Sequence, residues 1–493
     1  MWIRVALTAL ALGVAGDLLL RRIPWGFGAF LWTTLFVLAA VVLVGRYRPE
    51  ARREAIFPAI AAILAAGGMV WRDSNVLFAL DALLLVMFLP LLALGARGMR
   101  AHAAGLMQLF VAHVITLVQS IAGFFELFFS DIEWSAMPRG ATSRVFGVAL
   151  RGTLIAAPAL ILFGILLSNA DPAFARVLTD ILAFDLQAWI LHLLTIVAVA
   201  AVCAGFFRSL IGSGAVDWHE RPSSLRLPAA ETNVALALID LLFLLFVIVQ
   251  FRYFFGGASL VQIDRNLNYS EYARRGFFEM VWVVALALPM LLIAEWLVDK
   301  TSIRLTRTLI GAQIALILVI AVSAWRRMEL YRAEFGLTEL RFYTTAFMIW
   351  VAILLLWFSV TVLTGHRERF AIGALVSAVA LVVVLHAINP DAYIVETNLA
   401  RRGQRPFDAN YALQLSADAT PLIVRNLALL EPCSERRWDR RQGISWRTWN
   451  YGRASAIEAL QGKRAEIDAM ARRCSEERRR GRRYESNATP PMR

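Results

Sequence analysis

Apolar blocks of roughly 17–25 residues recur along this chain, and that length spans a bilayer core of about 30 Å as a helix. Only helices and closed barrels satisfy every backbone polar group in lipid. The blocks are continuous rather than alternating, so they predict membrane-spanning helices. They lie at about 3–20, 26–45, 55–71, 76–96, 105–129, 147–169, 186–210, 232–253, 277–298, 304–324, 342–364 and 370–388.

The composition is that of a membrane protein. Hydrophobic residues make up 59% of the chain and charged residues 18%, against about 45–50% and about 25% in soluble proteins. We therefore predict an all-α polytopic transmembrane helical bundle of 11–12 spans over residues 1–389. A small helical polar tail follows at 390–475, and a basic end with the composition of a disordered segment occupies 476–493.

The block at 105–129 has two readings, because polar residues recur along one of its helical faces. It is either a span that lines the bundle interior or an amphipathic helix that lies in the membrane interface. The polar residues of this face are Gln108, His113, Thr116, Gln119, Ser120 and Glu126.

The distribution of basic residues predicts a bacterial inner-membrane protein with a cytoplasmic N-terminus. Outside the tail, Arg and Lys divide about 18 to 12 between the two sides with eleven spans, and about 16 to 14 with twelve. The loops at 170–185, 254–276 and 325–341 share a side with the tail in either arrangement. The basic stretch "RRGQR" after the last block favours twelve spans, which place the tail on the N-terminal side.

Two of the three cysteines, Cys433 and Cys474, lie in the tail. They can form a disulfide only in an oxidising compartment. Their redox state therefore reports which side of the membrane the tail occupies.

Ionisable and amide side chains inside the blocks form a candidate intramembrane polar site. Asp240 lies mid-block with Asn233 seven residues earlier on the same helical face, and Asp81 and His113 lie within two other blocks. A carboxylate at the bilayer centre costs at least about 2.5–3.5 kcal/mol. It is retained either as a polar contact between helices, worth about 1 kcal/mol, or as part of a proton or ion relay.

The stretch "LNYSEYARRGFFE" at 267–279 is unusually rich in hydrogen-bonding groups for a loop between spans. One interpretation is a helix start on the membrane surface, with aromatic rings in the headgroup layer and arginines reaching lipid phosphates. The other is a polar face that two loops on one side build together. Its candidate residues are Tyr269, Glu271, Tyr272, Arg274, Arg275, Tyr331, Glu339 and Arg341.

Five motifs occur in the order "VQFRYFFGG", "YSEYARRGFFEM", "YRAEFGLTELRFYT", "NPDAYIVETNLAR" and "YALQLSADATPLIV". Together they resemble the bacterial membrane-protein families DUF4173 and DUF4153, over roughly residues 140–430. The resemblance implies a multi-spanning bacterial inner-membrane protein without an assigned biochemical role. It supplies no catalytic or binding residues.

Signs of catalysis are absent from the sequence. The six histidines lack metal-ligand spacing, and no glycine stretch forms a phosphate loop with its lysine. We expect no catalytic residue, metal or cofactor. The partner is the lipid bilayer, and the basic tail could bind anionic lipid. The net charge of +13 comes from arginines at block ends and in the tail, so it does not indicate nucleic acid.

Three functions remain open on these observations. The first is a non-enzymatic protein that handles a small solute or ion near Asp240 and Asp81. The second is an envelope signalling or assembly protein that docks an unspecified partner on its polar loops and tail. The third is a membrane enzyme that acts on a lipid-linked substrate through the Tyr, Glu and Arg side chains of its loops.

Overall fold

The computed structural model describes residues 1–98, 106–132, 141–171, 174, 186–212, 228–255, 277–298, 303–366, 368–403, 406–429, 445–470, 472–473 and 476. Within these residues the regular structure is helical and contains no strand. The long helices are α1 Trp2–Leu20, α2 Phe27–Tyr47, α3 Arg52–Trp71, α4 Asn75–Ala96, α5 Leu106–Glu126, α6 Ala141–Ala170, α7 Leu186–Ile211, α8 Ala229–Phe255, α9 Phe277–Leu297, α10 Ile303–Phe335, α11 Glu339–Thr361 and α12 Glu368–Ile388. The tail contains α13 Pro390–Ala400, α14 Ala409–Ala412, α15 Thr420–Arg425 and α16 Tyr451–Gly462.

The long helices match the apolar blocks, which confirms the predicted all-α polytopic bundle. In the described part of the chain, ten helical stretches are long and apolar enough to cross a membrane. Shorter apolar stretches lie in α6 and α9, at Pro158–Ala170 and Val281–Glu295. The chain is a multi-pass membrane protein.

Buried apolar side chains form three clusters. The first joins α1–α5, α7 and α12, and the second joins α8–α12. Helix α12 contributes to both, with Leu375 in the first cluster and Phe370 in the second. The third cluster belongs to the tail and includes Ile394 and Ile423, together with Leu337 from the turn between α10 and α11. The tail is therefore packed against the bundle and has a core of its own.

The two ends of the bundle have different neighbours. At one end, which we call the N-terminal face, Trp2 lies against Gly212 at the end of α7. At the other end, the tail face, the amide of Phe27 donates to the carbonyl of Trp449 at 2.8 Å. Since α1 runs from one face to the other, the N-terminus and the tail lie at opposite ends. This contradicts the preference for twelve spans, because twelve crossings would bring both ends to one side.

Helix α5, the block with two readings, packs along α7. The backbones approach so closely at Gly205 that a Cβ there would collide with the carbonyl of Ser120. Its last turn pairs Glu126 with Arg208 of α7, and Arg208 Nε also donates to Asp131 at 2.5 Å. These contacts pack α5 against α7, and they fit either reading of this block.

We expect tags at residue 1 and in the tail after Gly403 to report opposite compartments. Gly403 lies on the tail face, and α1 separates that face from Met1. Dual reporter fusions, active in either the cytoplasm or the periplasm, measure this directly. A third fusion after Gly336, in the turn before α11, should match the Gly403 signal, and equal signals from residue 1 and Gly403 would contradict the arrangement.

Candidate functional site

Asp81 of α4 and His386 of α12 form a buried pair between two spans. The carboxylate Oδ2 lies 3.2 Å from the imidazole Nε2, and the two residues are 1% and 2% exposed. The distance is that of an ion pair, although the angles are not those of a hydrogen bond. Asp81 lies six residues into its helix, which places it about 9 Å below the tail face.

The surroundings of this pair fix where its protons lie. His386 Nδ1 is 2.9 Å from the carbonyl of Val382, which only accepts, so Nδ1 carries a proton. Without a second proton, Nε2 and the carboxylate would be two acceptors facing each other. The pair therefore carries one exchangeable proton, which resides on the imidazole or on the carboxyl group. Gly68 of α3 leaves the space that the Asp81 carboxylate occupies, since a Cβ there would lie 2.5 Å from both carboxylate oxygens.

Arg72 links this pair to the tail. It follows α3 directly, and its Nε donates to the backbone carbonyl of His386 at 2.9 Å. Its Nη1 lies 3.8 Å from Oδ1 of Asp418, a tail residue that is 6% exposed. One guanidinium thus contacts both the end of α12 and the tail.

The corner between α3 and α4, residues 72–74, holds the tail through a set of polar contacts that we call the corner junction. The amide of Asp73 donates to Asp418 Oδ2 at 2.6 Å, and the Asp73 carboxylate pairs with Arg453 Nε at 2.9 Å. Asn450, which is 0% exposed, donates to the carbonyls of Met69 and Arg72 at 2.9 and 2.8 Å. The tail therefore supplies hydrogen-bond donors to the carbonyls at the C-terminal end of α3.

Buried carboxylates concentrate at the corner junction. Burial raises the pKa of Asp418 to about 6, although the Asp73 amide and the Arg72 charge oppose the shift. Burial also raises the pKa of Asp391, which accepts from the amide of Ser416 at 3.2 Å. The negative charges of Asp73 and Asp391 raise the pKa of Asp418 further. The tail is therefore packed around at least one carboxyl group that gains a proton near pH 6.

We expect the packing of the tail to weaken as the pH rises from 4 to 7. Asp418 has a pKa of about 6 in the folded tail, against about 3.9 when unfolded. The folded state binds the proton more tightly, so its stabilising effect is complete below pH 4 and is lost as the pH passes 6. Two pKa units correspond to about 3 kcal/mol.

Urea unfolding of the tail, followed by tryptophan fluorescence at several pH values, measures this loss. Asp418→Asn should flatten the dependence. Asp408→Asn is the control, because Asp408 is an exposed helix cap whose role an amide oxygen can take over. A pH dependence that is unchanged in Asp418→Asn would refute the assignment.

The other predicted intramembrane residues lie apart from this pair. Asp240 of α8 is 9% exposed, and its carboxylate has no hydrogen-bond partner in the described part of the chain. Asn233 accepts from Thr306 of α10 at 2.7 Å, which is a helix–helix contact. The ring nitrogens of His113 face the carbonyls of Leu109 and Met87 at 2.6 and 2.8 Å.

The predicted polar face is only partly described. Tyr269, Glu271, Tyr272, Arg274 and Arg275 lie outside the described residues, as do Cys433 and Cys474.

The remaining members of that face help to attach the tail. The guanidinium of Arg341 stacks 4.1 Å from the ring centre of Tyr331, and the backbone amide of Glu339 donates to the hydroxyl oxygen of Tyr411 at 2.8 Å. These contacts give Arg341 and Glu339 structural roles between α10, α11 and the tail.

The family model described as "Domain of unknown function (DUF4153)" matches residues 59–426. The chain belongs to the DUF4153 family. Of the two families that its motifs resemble, DUF4153 is thus confirmed and DUF4173 stays a resemblance. No curated protein and no solved structure matches the chain.

The DUF4153 match contains both halves of the candidate site. Asp81, His386, Arg72 and Asp418 all fall within it, whereas Asn450 lies after its end. The site therefore belongs to the part of the chain that defines the family.

Sequence reasoning missed His386, although an imidazole inside the apolar run "ALVVVLHAI" was a visible signal. It also missed a second pair, in which His192 Nδ1 of α7 lies 2.5 Å from Asp17 Oδ2 of α1. That pair is more open, with the histidine side chain 40% exposed. Each histidine acquires its partner only when distant spans pack together.

Proposed function

We propose that this DUF4153 protein handles protons in the membrane, with Asp81 and His386 as the binding site. The observation that carries the proposal is the buried pair, whose contact holds one exchangeable proton beside an otherwise apolar core. A carboxylate and an imidazole supply two ligands, fewer than the four of a typical zinc site. The close approach of Gly68 leaves little room for a larger solute. A proton is the ion that these groups fit best.

A line of polar contacts between the pair and the tail face supports this function. The carbonyl of His386 contacts Arg72, which in turn lies beside Asp418. Burial raises the pKa of Asp391, and it raises that of Asp418 to about 6, so the Asp418 carboxyl can exchange a proton near pH 6. Acidic groups at the mouth of a membrane path collect protons for a site deeper inside.

The same proposal includes an orientation. The N-terminal face is cytoplasmic and the tail face lies outside the bacterial inner membrane. The excess of basic residues on the N-terminal side supports it, because such residues favour the cytoplasm. Protons would then enter from the outside by way of the corner junction.

Proton flux into liposomes that contain the purified protein tests the proposal. A pH-sensitive dye inside the vesicles follows the collapse of an imposed pH gradient. We expect Asp81→Asn and His386→Gln to slow the flux at least tenfold, on the order of the loss when a proton-transferring group is removed. Asp17→Asn is the matched control, because it alters the other carboxylate–imidazole pair between spans. Equal flux in Asp81→Asn and wild type would refute the proposal.

A second candidate is a pH sensor that signals through its tail. Arg72 favours it, because one guanidinium contacts both the end of α12 and Asp418. Protonation of the pair would then change how the tail is held, without net flux. Liposomes that carry no flux, together with a protease sensitivity of the tail that depends on pH in wild type and not in Asp81→Asn, would favour this function.

A further inference from the structure

Helices α8 and α10 run side by side in the same direction. Near the start of each, Thr306 of α10 donates to Oδ1 of Asn233 in α8 at 2.7 Å. The two helices pack along each other from this contact, and both supply side chains to the second cluster. The end of α10 lies beside the tail, where the amide of Leu337 donates to Asn398 at 2.8 Å. Both helices therefore begin at the N-terminal face.

Two further polar residues follow this contact at equal spacing. Asp240 lies seven residues after Asn233, and Gln313 lies seven residues after Thr306. Seven residues are almost two full turns, so each residue stays on the same face of its helix as the earlier one. Parallel helices keep residues of equal offset at one level. Asp240 and Gln313 therefore lie level with each other, about 15 Å from the helix starts and near the middle of a bilayer core of about 30 Å.

Both side chains are buried without a hydrogen-bond partner in the described part of the chain. Gln313 is 0% exposed, and neither its Oε1 nor its Nε2 is paired. Asp240 is 9% exposed, and neither carboxylate oxygen is paired. Leu236, Ile310 and Ile317, within about one turn along the same helices, are buried members of the second cluster. An unpaired carboxylate and an unpaired amide are each costly in such surroundings, so a ligand that contacts both would stabilise the bundle.

The chemistry of these groups selects the class of ligand. Carboxylate and amide oxygens suit hard cations. One carboxylate balances a single positive charge, whereas a divalent ion would leave an unbalanced charge in an apolar core. Calcium also takes about six to eight oxygen ligands, more than these two side chains supply. An alkali-metal cation such as sodium is the class that fits.

We propose that Asp240 and Gln313 bind an alkali-metal cation between α8 and α10. The Asp240 carboxylate neutralises the ion, Gln313 Oε1 contributes an amide oxygen, and water fills the remaining ligand positions. Asn233 and Thr306 lie two turns nearer the N-terminal face, on the line from that face to the site. The site belongs to the second cluster, apart from the proposed proton site, so this inference does not rest on the proposed function.

Equilibrium dialysis of the purified protein in detergent tests the site. The probes are radioactive sodium and rubidium ions, with choline chloride holding the ionic strength constant. We expect wild type to bind at least one of the two ions at a single saturable site per chain. Asp240→Asn and Gln313→Met should each lower the affinity at least about tenfold. Gln119→Met is the matched control, because it removes another buried amide oxygen, in α5, and it should bind as wild type does.

Each outcome supports or overturns the site. A preference for sodium over rubidium, or the reverse, supports it and identifies the ion. If Asp240→Asn does not fold, Gln313→Met decides, since it changes no charge. No saturable binding of either ion by wild type would overturn the proposal, because it would mean that Asp240 holds a proton instead. Affinities in Gln313→Met equal to those in Gln119→Met, or displacement of the bound ion by an equal concentration of calcium, would also overturn it.

Discussion

Gly68→Ala should destabilise the bundle by about 3 kcal/mol, the combined order of an overpacked core and a disturbed buried pair. The new Cβ would lie 2.5 Å from both carboxylate oxygens of Asp81. The carboxylate cannot withdraw freely, because it is buried between α3, α4 and α12. Either α3 shifts away from α4 or Asp81 rotates away from His386. Thermal unfolding in detergent measures the first effect, and proton flux in liposomes measures the second.

The neighbouring glycine provides a matched control. A Cβ at Gly67 would meet its nearest atom, in the ring of Phe30, at 4.0 Å, which is ordinary contact. Alanine favours a helix over glycine by about 1 kcal/mol, so Gly67→Ala should be neutral or stabilising. Glycine-to-alanine substitutions at these two adjacent positions should therefore change the stability of the bundle in opposite directions. Equal effects at both positions would mean that the helix, rather than the carboxylate, responds.

A double-substitution cycle assigns the clash to Asp81. In an Asp81→Ala background the carboxylate is gone, and Gly68→Ala should then cost far less than in the wild type. Residues in direct contact show coupling of about 0.5–3 kcal/mol, whereas distant residues do not. Additive effects of the two substitutions would show that another atom blocks the Cβ.

The fold could be predicted from the sequence because its main constraint is local. A helix that satisfies its own backbone in lipid needs only a continuous apolar stretch of sufficient length. The blocks at 26–45 and 76–96 accordingly correspond to α2 and α4 within a residue or two at each end. The side of the membrane on which the tail lies could not be predicted in this way, because Arg and Lys show only a small excess on one side. The contact of Phe27 with Trp449 shows only that the tail lies at the opposite end of the bundle from Met1.

The candidate site was only half visible in the sequence. Asp81 could be found because an acid inside an apolar block is costly wherever it lies. Its partner could not be assigned, since that depends on how α12 packs against α3 and α4.

Asp418 shows the same limit in the tail. Its place before "ATPLIV" predicts a helix cap, and the structure buries its carboxylate against Arg72 and the amide of Asp73 instead. Ser416, two residues earlier, caps the short 3-10 turn at 417–419, since its Oγ accepts from the amide of Asp418 at 3.3 Å, whereas the residue before α15 provides no side-chain cap. Local rules place a cap near the correct residue, but long-range packing decides which side chain takes the role.

Asn450→Ala should release the tail from the bundle. Its amide nitrogen donates to two carbonyls at the end of α3, those of Met69 and Arg72. Its Oδ1 caps α16 by accepting from the amide of Arg453 at 3.2 Å. Unsatisfied buried carbonyls cost about 1–3 kcal/mol and a lost cap about 1 kcal/mol. We therefore expect a loss of about 3 kcal/mol, which raises the open fraction of the tail roughly a hundredfold.

The rate of trypsin cleavage within the tail, where arginines are frequent, measures that open fraction. Asn426→Ala is the control, because Asn426 donates to the carbonyl of Leu422, four residues earlier in the same segment. Asn450→Asp separates the two roles of Asn450. Aspartate keeps the oxygen that caps α16, but it has no N–H to donate and turns a negative charge toward the carbonyls of α3. If the bonds to α3 hold the tail, Asn450→Asp should be cleaved at least as fast as Asn450→Ala. If it is as resistant as wild type, then the cap alone holds the tail and the closure of α3 contributes nothing.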